Sequence, residues 1–422
     1  MSTAAATDVQ SPAQRYLDEV ARHLERIRAD VPGLSRFGHD MAQPLLAGGD
    51  ISAARVAAWW PREFGGRAGG LMGLRGRRRG RSAPGGTQAQ AGSDNDVAYI
   101  ATPDPRKWNP ADDENLQRLL DSPGRVFVNG RREDLGDLAG HERFAGFTGG
   151  ADPAQGRYRF KDIDPLVSFQ GFHQFVRGWA AAGEMIAACT RGGKMPIIYM
   201  SVWFEGSHVR NACFTKKDNL QEPWPVPLFH DNLYIPPPEP GAIATAYVDR
   251  TESIRQTLTG QIDRLTQAAD WLAEARANGR RTWVVGVGHS YPDIFDWPQD
   301  DESFEPPLTW GPSISNLARG IPGDFADGDT VLHMGYAPVN KDHVQHWLDR
   351  GVRLIHTSPY GPALDMKPHD NFLYFDLPWP PGDQAIELPG YSVKILPISA
   401  PAQTMAYYAI LSEVAQRLGW GA

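Results

Sequence analysis

At 422 residues the chain has room for two or three domains of the usual ~100–200 residues, and its 41% hydrophobic content can bury a sizeable core. Lys and Arg total 42 against 50 Asp and Glu, and the resulting charge of −8 does not suit the neutralising of a phosphodiester backbone, so nucleic acid is not an expected partner. Two cysteines exclude a disulfide scaffold and fit reduced thiols; with no signal peptide in the opening residues and no apolar run long enough for a bilayer, the expected protein is soluble and cytoplasmic, without a membrane.

In chain order, residues 14–27 predict a helix, with Tyr16, Leu17, Val20, Leu24 and Ile27 at helical spacing and charge opposite. Residues 73–93 are Arg-rich, then rich in Gly, Ser and Gln, and read as a mobile loop. Its basic run RGRRRGR (75–81) is read as solvated, with a phosphate or nucleic-acid role as the alternative. Residues 97–100 read as a short buried strand, 112–120 as a helix and 125–128 as a strand. A long helix is predicted over 167–188 and a further strand over 197–200. The Pro-rich stretch 222–241 cannot continue a helix or central strand and suits a stiff linker.

The second half keeps this order. A helix is predicted over 245–258, strands over 283–287, 330–333 and 352–355 with a helix over 341–349 before the last of these, then a strand over 391–396 and a closing helix over 402–418. Short strands alternating with helices imply βαβ units, so the expected fold class is α/β with parallel sheets. Tyr247, Val248 and Asp249 stand where Tyr16, Leu17 and Asp18 stood, a shift of 247 − 16 = 231 positions. The same shift lays Pro292 on Pro61 and Phe295 on Phe64, as an old tandem duplication would. The expected domains are 1–235 and 236–422.

Three strings carry a family resemblance. ANGRRTWVVGVGHSY (277–291) resembles the opening strand and G-x-G-H-S turn of the sugar isomerase (SIS) domain of phosphosugar-isomerase type. EFGGRAGGL (63–71) is similar to the E-x-x-x-R-A-G-G-L segment that follows that turn in the same family. Residues 388–418 resemble the family's last strand, Ser/Thr loop and final helix, and with 328–359 the resemblance covers most of the second half. The resemblance implies two SIS-like three-layer sandwiches packed as an internal pseudo-dimer, phosphosugar or amino-sugar ligands, and isomerisation with no metal or organic cofactor. Two departures stand out. The family joins both motifs in one domain, whereas here each half keeps one, and the Ser-rich phosphate loop is replaced by GYAPVN (335–340).

The candidate site follows from chemistry at strand ends, because an open parallel sheet binds ligands beyond its carboxyl edge. His289 and Ser290 directly follow the strand 283–287, and Gly286 and Gly288 leave backbone amides free to meet an anion. Thr357, Ser358 and Ser399 follow two other strands; the plainer reading is that such hydroxyls cap the next helix. An aldose–ketose isomerase needs a base for the C1–C2 proton and an acid/base for ring opening, roles that fall to Glu63 and His289 if the halves pack together. Arg67 would hold the Glu63 carboxylate or bind phosphate; the plainer reading is an i,i+4 surface ion pair. For His289 the plainer reading is a turn histidine.

Other features rank lower. His333, His343, His346, His356 and His369 cluster in sequence, but without H-E-x-x-H or paired cysteines no metal is expected. GVGHSY lacks the glycine at 291 that a dinucleotide fingerprint needs. The expected function is a sugar or sugar-phosphate isomerase with a composite site at the interface of the halves; the alternative is a non-catalytic sugar- or sugar-phosphate-binding or regulatory protein. A pseudo-dimer with only a structural role is a third reading. A small-molecule sugar ligand, a possible homodimer and no organic cofactor complete the expectations.

Overall fold

The computed structural model describes residues 10–57, 59–65, 67–74, 92–103, 108–151, 169–214, 226–286, 309–310, 325–335, 341–359, 369–377 and 379–419. The basic run 75–81, and Gly288, His289 and Ser290, lie outside the described residues.

The first half opens with α1 (Pro12–Ala29), where the Ser11 hydroxyl accepts from the Gln14 N–H and Pro12 occupies the first turn. Then follow α2 (Val31–Leu46), β1 (Ile51–Ala53), α3 (Trp60–Phe64), β2 (Val97–Ala101), α4 (Glu114–Asp121), β3 (Arg125–Asn129), β4 (Phe144–Phe147), α5 (Phe169–Arg191) and α6 (Ser207–Phe214). The second half consists of α7 (Ala242–Thr259), α8 (Ile262–Ala277), β5 (Thr282–Gly286), β6 (Thr309–Trp310), β7 (Thr330–Met334), α9 (Lys341–Asp349), β8 (Arg353–Ser358), β9 (Phe372–Asp376), β10 (Gln384–Ile386), β11 (Ile395–Pro397) and α10 (Ser399–Arg417).

The α/β class with parallel sheets is what the chain adopts. One sheet runs β1-β2-β3-β4 and the other β6-β5-β7-β8-β9, parallel throughout, while β10 and β11 form a separate antiparallel pair. Each sheet is covered on both faces, giving three layers. In the first, Leu116, Leu119 and Leu120 of α4 pack on Ile100, Val126 and Val128, while Tyr99 and Phe127 face the central helices. In the second, Val344, Trp347 and Leu348 of α9 pack on Val331 and Leu354, while Leu332, Met334 and Ile355 lie on the face that α8 covers. The inner faces of both sheets belong to one continuous apolar core.

That core is built by exchange between the halves. Helices α1 and α7 are both 18 residues long, and α2 and α8 both 16, at offsets of 242 − 12 = 230 and 262 − 31 = 231. Helix α1 packs on α10 of the other half, α7 packs on α5 of the first, and α1 also meets α7, as in an isologous dimer interface. The polar contacts repeat with the same reciprocity. The buried Glu413 on α10 accepts from the Ala13 N–H at 2.9 Å, capping α1. The buried Glu184 on α5 accepts from the Gly241 and Ala244 N–H groups at 2.8 and 2.9 Å, capping α7. Carboxylates at helix N-termini satisfy orphan donors and oppose the helix dipole, so each half closes the other's first helix.

Two expected strands differ. Residues 197–200 form no strand but isolated bridges, Ile198 to Leu71 and, beside them, Pro196 to Phe229. The last strand is only Ile395–Pro397 and antiparallel to β10, because Leu396 adopts a positive φ of 63° that breaks a longer extended run. Among the described residues no helix is long and apolar enough to cross a membrane, and no group of three metal-ligating side chains forms. Cys189 is buried and Cys213 exposed, and neither is in a disulfide.

Candidate functional site at the seam between the halves

Helix α3 is anchored by its aromatics. The Trp60 indole donates to the Tyr99 carbonyl at 3.0 Å, Trp60 stacks on Phe64, and Phe64 lies 5.3 Å from Trp179. These rings fix Glu63, which stands between Trp60 and Phe64 at the end of the helix and is fully buried. One carboxylate oxygen accepts from the Trp179 indole at 2.9 Å and the other from the Arg67 guanidinium. The pair is i,i+4 as the sequence suggests, but it is internal rather than a surface pair. Burial pushes the Glu63 carboxyl up, while Arg67 and the Trp179 indole act against that rise.

From Arg67 the chain runs into the seam. Gly69 donates to the Tyr199 carbonyl at 2.8 Å, and its own carbonyl accepts from Leu396 at 2.9 Å. Gly69 has φ +84°, and a Cβ there would lie 2.7 Å from the Leu396 nitrogen. Both the left-handed backbone and the contact with main chain demand glycine. Gly69→Ala is expected to cost about 2–4 kcal/mol; a calorimetric midpoint equal to wild type would show that the segment can shift freely.

Across the seam lies Asp383, buried and itself at φ +71°. Its carboxylate accepts from the Ser399 hydroxyl at 2.8 Å and from the Ser399 and Ile398 amides at 2.6 and 3.0 Å. Burial raises its proton affinity, and Arg67 opposes that most strongly. Tyr247 completes the cluster: its hydroxyl donates to the Pro397 carbonyl at 2.6 Å. Burial, Glu63 and Asp383 all hold its phenol well above the usual tyrosine range. One arginine thus serves two buried carboxylates from opposite halves. Left-handed φ at the non-glycine residues Asp383 and Leu396 costs conformational energy and is typical of sites where geometry is imposed.

The structure brings Glu63, Arg67 and Ser399 together at this seam. Thr357 and Ser358 lie elsewhere, at the carboxyl end of β8, fully buried; the Thr357 hydroxyl points at the His333 carbonyl at 3.5 Å. Strand β5, after which Gly288, His289 and Ser290 follow, is the one at which the strand order of its sheet reverses, with β6 on one side and β7 on the other. Asp383, Trp179 and Tyr247 were not anticipated from sequence. Asp383 sits in a PPGDQ turn string, and Trp179 in an apolar helix where an indole reads as core.

The sequence matches no family model and no curated protein. Among solved structures, the C-terminal domain of glucosamine-fructose-6-phosphate aminotransferase from Francisella tularensis aligns at 10% identity over 79% of this chain and 74% of that one, with a TM-score of 0.40. A protein described as a phosphosugar isomerase from Silicibacter pomeroyi DSS-3 aligns at 10% identity over 97% of this chain and 99% of that one, also with a TM-score of 0.40. Likeness at that level supports no functional statement; what the chain itself establishes is an α/β protein of two three-layer halves with a buried ionic cluster between them.

Proposed function

We propose that the protein binds a sugar or sugar phosphate at the carboxyl end of β5, with Gly288, His289 and Ser290 meeting the ligand, and that residues 1–235 and 236–422 arose by tandem duplication. The observation that carries the binding site is the reversal of strand order at β5, the position where open parallel sheets bind ligands. The G-x-G-H-S string continuing from that strand supports the sugar class through its SIS resemblance. In this reading Glu63 and Arg67 hold the halves together and touch no ligand, since Glu63 is 0% exposed with both oxygens engaged.

A second reading, the aldose–ketose isomerase with Glu63 as base and His289 as ring-opening acid/base, is favoured by one observation. Burial brings the Glu63 proton affinity toward that of a working general base. Thr357, Ser358 and Ser399 would then be ligand-side hydroxyls.

Thermal shifts against free, amino and phosphorylated sugars test the proposal. A ligand at ~100 times its dissociation constant adds about 2.7 kcal/mol, a shift of several degrees, and His289→Ala is expected to abolish it for free and amino sugars and to reduce it for phosphorylated ones. No shift with any sugar, or a shift indifferent to His289→Ala, sinks the β5 site. Proton exchange at C2 of the bound sugar in deuterated water separates the readings: no exchange is expected, whereas exchange abolished by Glu63→Gln establishes the isomerase.

A further inference from the structure

A cleft of about 730 Å³ lies in the first half, between the beginning of α2 and the carboxyl ends of β3 and β4, away from both β5 and the seam cluster. Its size falls within the ~300–1,000 Å³ usual for small-molecule sites. Charged side chains line it, and half of those charges are already paired. Asp30 accepts from Arg177 Nη1, and Arg131 pairs with Asp134 at 3.3 Å and Glu133 at 3.6 Å.

Two cations remain. Among the described residues, Arg36 and Arg132 have no carboxylate partner. Arg132 is also held in place: its guanidinium lies 4.7 Å from the Phe147 ring centroid and donates to the Ala139 carbonyl at 3.0 Å. A guanidinium fixed by stacking and one bond loses less entropy when its other N–H groups take an anion. Asp40, one helical turn beyond Arg36 on α2, also lines the cleft without an ion pair among the described residues, and its carboxylate accepts hydrogen bonds only.

We infer that this cleft is a second ligand site, taking a small phosphate ester that carries hydroxyl groups. The phosphate is held by Arg36 and Arg132, whose forked donors match its oxygens, and a hydroxyl donates to Asp40. The volume of the cleft suits a small molecule, and the net charge of −8 disfavours a polyanion in the same place. The site stands independently of the β5 proposal.

Titration calorimetry in the His289→Ala protein removes any contribution from the β5 site. Glucose 6-phosphate and glycerol 3-phosphate are the probes, with glucose and inorganic phosphate alongside. Both esters are expected to bind, glucose not at all and inorganic phosphate more weakly. Arg36→Ala and Arg132→Gln are each expected to raise the dissociation constant at least ~10-fold, equivalent to about 1.4 kcal/mol. Arg36 is exposed, so its variant should keep the parent's melting midpoint. No heat with either ester, or constants changed less than ~10-fold in both variants, overturns the inference. Esters that bind here while the sugar panel gives no His289-dependent shift would sink the β5 reading alone.

Discussion

Replacing Arg67 by methionine is expected to destabilise the protein by about 3–5 kcal/mol, the range for breaking a buried ion pair by removing one partner. Glu63 and Asp383 are 0% and 2% exposed, and the substitution removes the cation that lowers the proton affinity of both. At ~2–4 °C per kcal/mol the melting midpoint should fall by roughly 6–20 °C. The double variant Glu63→Gln, Arg67→Met should recover part of the loss, because it leaves one fewer buried charge. The deficit also has a pH signature. Carboxyl groups with raised folded pKa contribute stability that is present below the unfolded value and lost as pH rises through the folded one. The Arg67→Met deficit is therefore largest at neutral pH and shrinks on acidification. A midpoint within about 2 °C of wild type at pH 7 would show that the cluster tolerates the loss by letting in water.

Acid works in the opposite direction on the histidines. His333 and His356 stand opposite one another on β7 and β8, with their Nδ1 atoms 2.8 Å apart and both rings buried. One ring must donate and the other accept, an arrangement that is lost once both rings are protonated. Burial pushes His333 down to about 4, and burial and then His333 push His356 well below the usual range. A second pair, His23 on α1 and His173 on α5, is 2.6 Å apart, with His23 also pushed down to about 4 by burial. A histidine depressed on folding contributes stability that is whole above its unfolded pKa and lost as pH falls through the folded one. For His333 the interval from 6.5 to about 4 corresponds to a loss on the order of 3 kcal/mol. Urea unfolding at pH 7 and near pH 4.5 is expected to show a steep fall in stability. That fall should be visibly shallower in a His333→Leu, His356→Phe variant. Equal falls in the two proteins would place the acid sensitivity elsewhere.

Much of the fold was legible because its signal is local. The apolar stripe of α1 and the buried β2 and β7 follow from side-chain periodicity alone. Helix α2 was not, since Gly33, Gly38 and Pro44 interrupt its pattern. Gly38 is there because α5 approaches so closely that a Cβ would lie 2.6 Å from Glu184 Cβ, a demand made by tertiary packing. The site divides in the same way. Glu63 and Arg67 were visible as a motif four residues apart, and their burial against the other half was not. Asp383 depends on a left-handed turn and on Ser399, sixteen positions away, neither of which leaves a pattern. A signal did exist for the reciprocal caps: Glu184 and Glu413 are lone acids within long apolar helices, and such a group has to find a donor.

The reciprocal capping has a consequence for how the chain reaches its native state during synthesis. The carboxylate that caps α1, Glu413, is translated 400 positions after the Ala13 amide that it accepts from. Through those 400 positions, at ~5–20 residues per second, the apolar stripe of α1 waits for the helix that carries its cap. The nascent first half therefore spends tens of seconds needing protection from aggregation, and its native core closes only when α10 has left the ribosome.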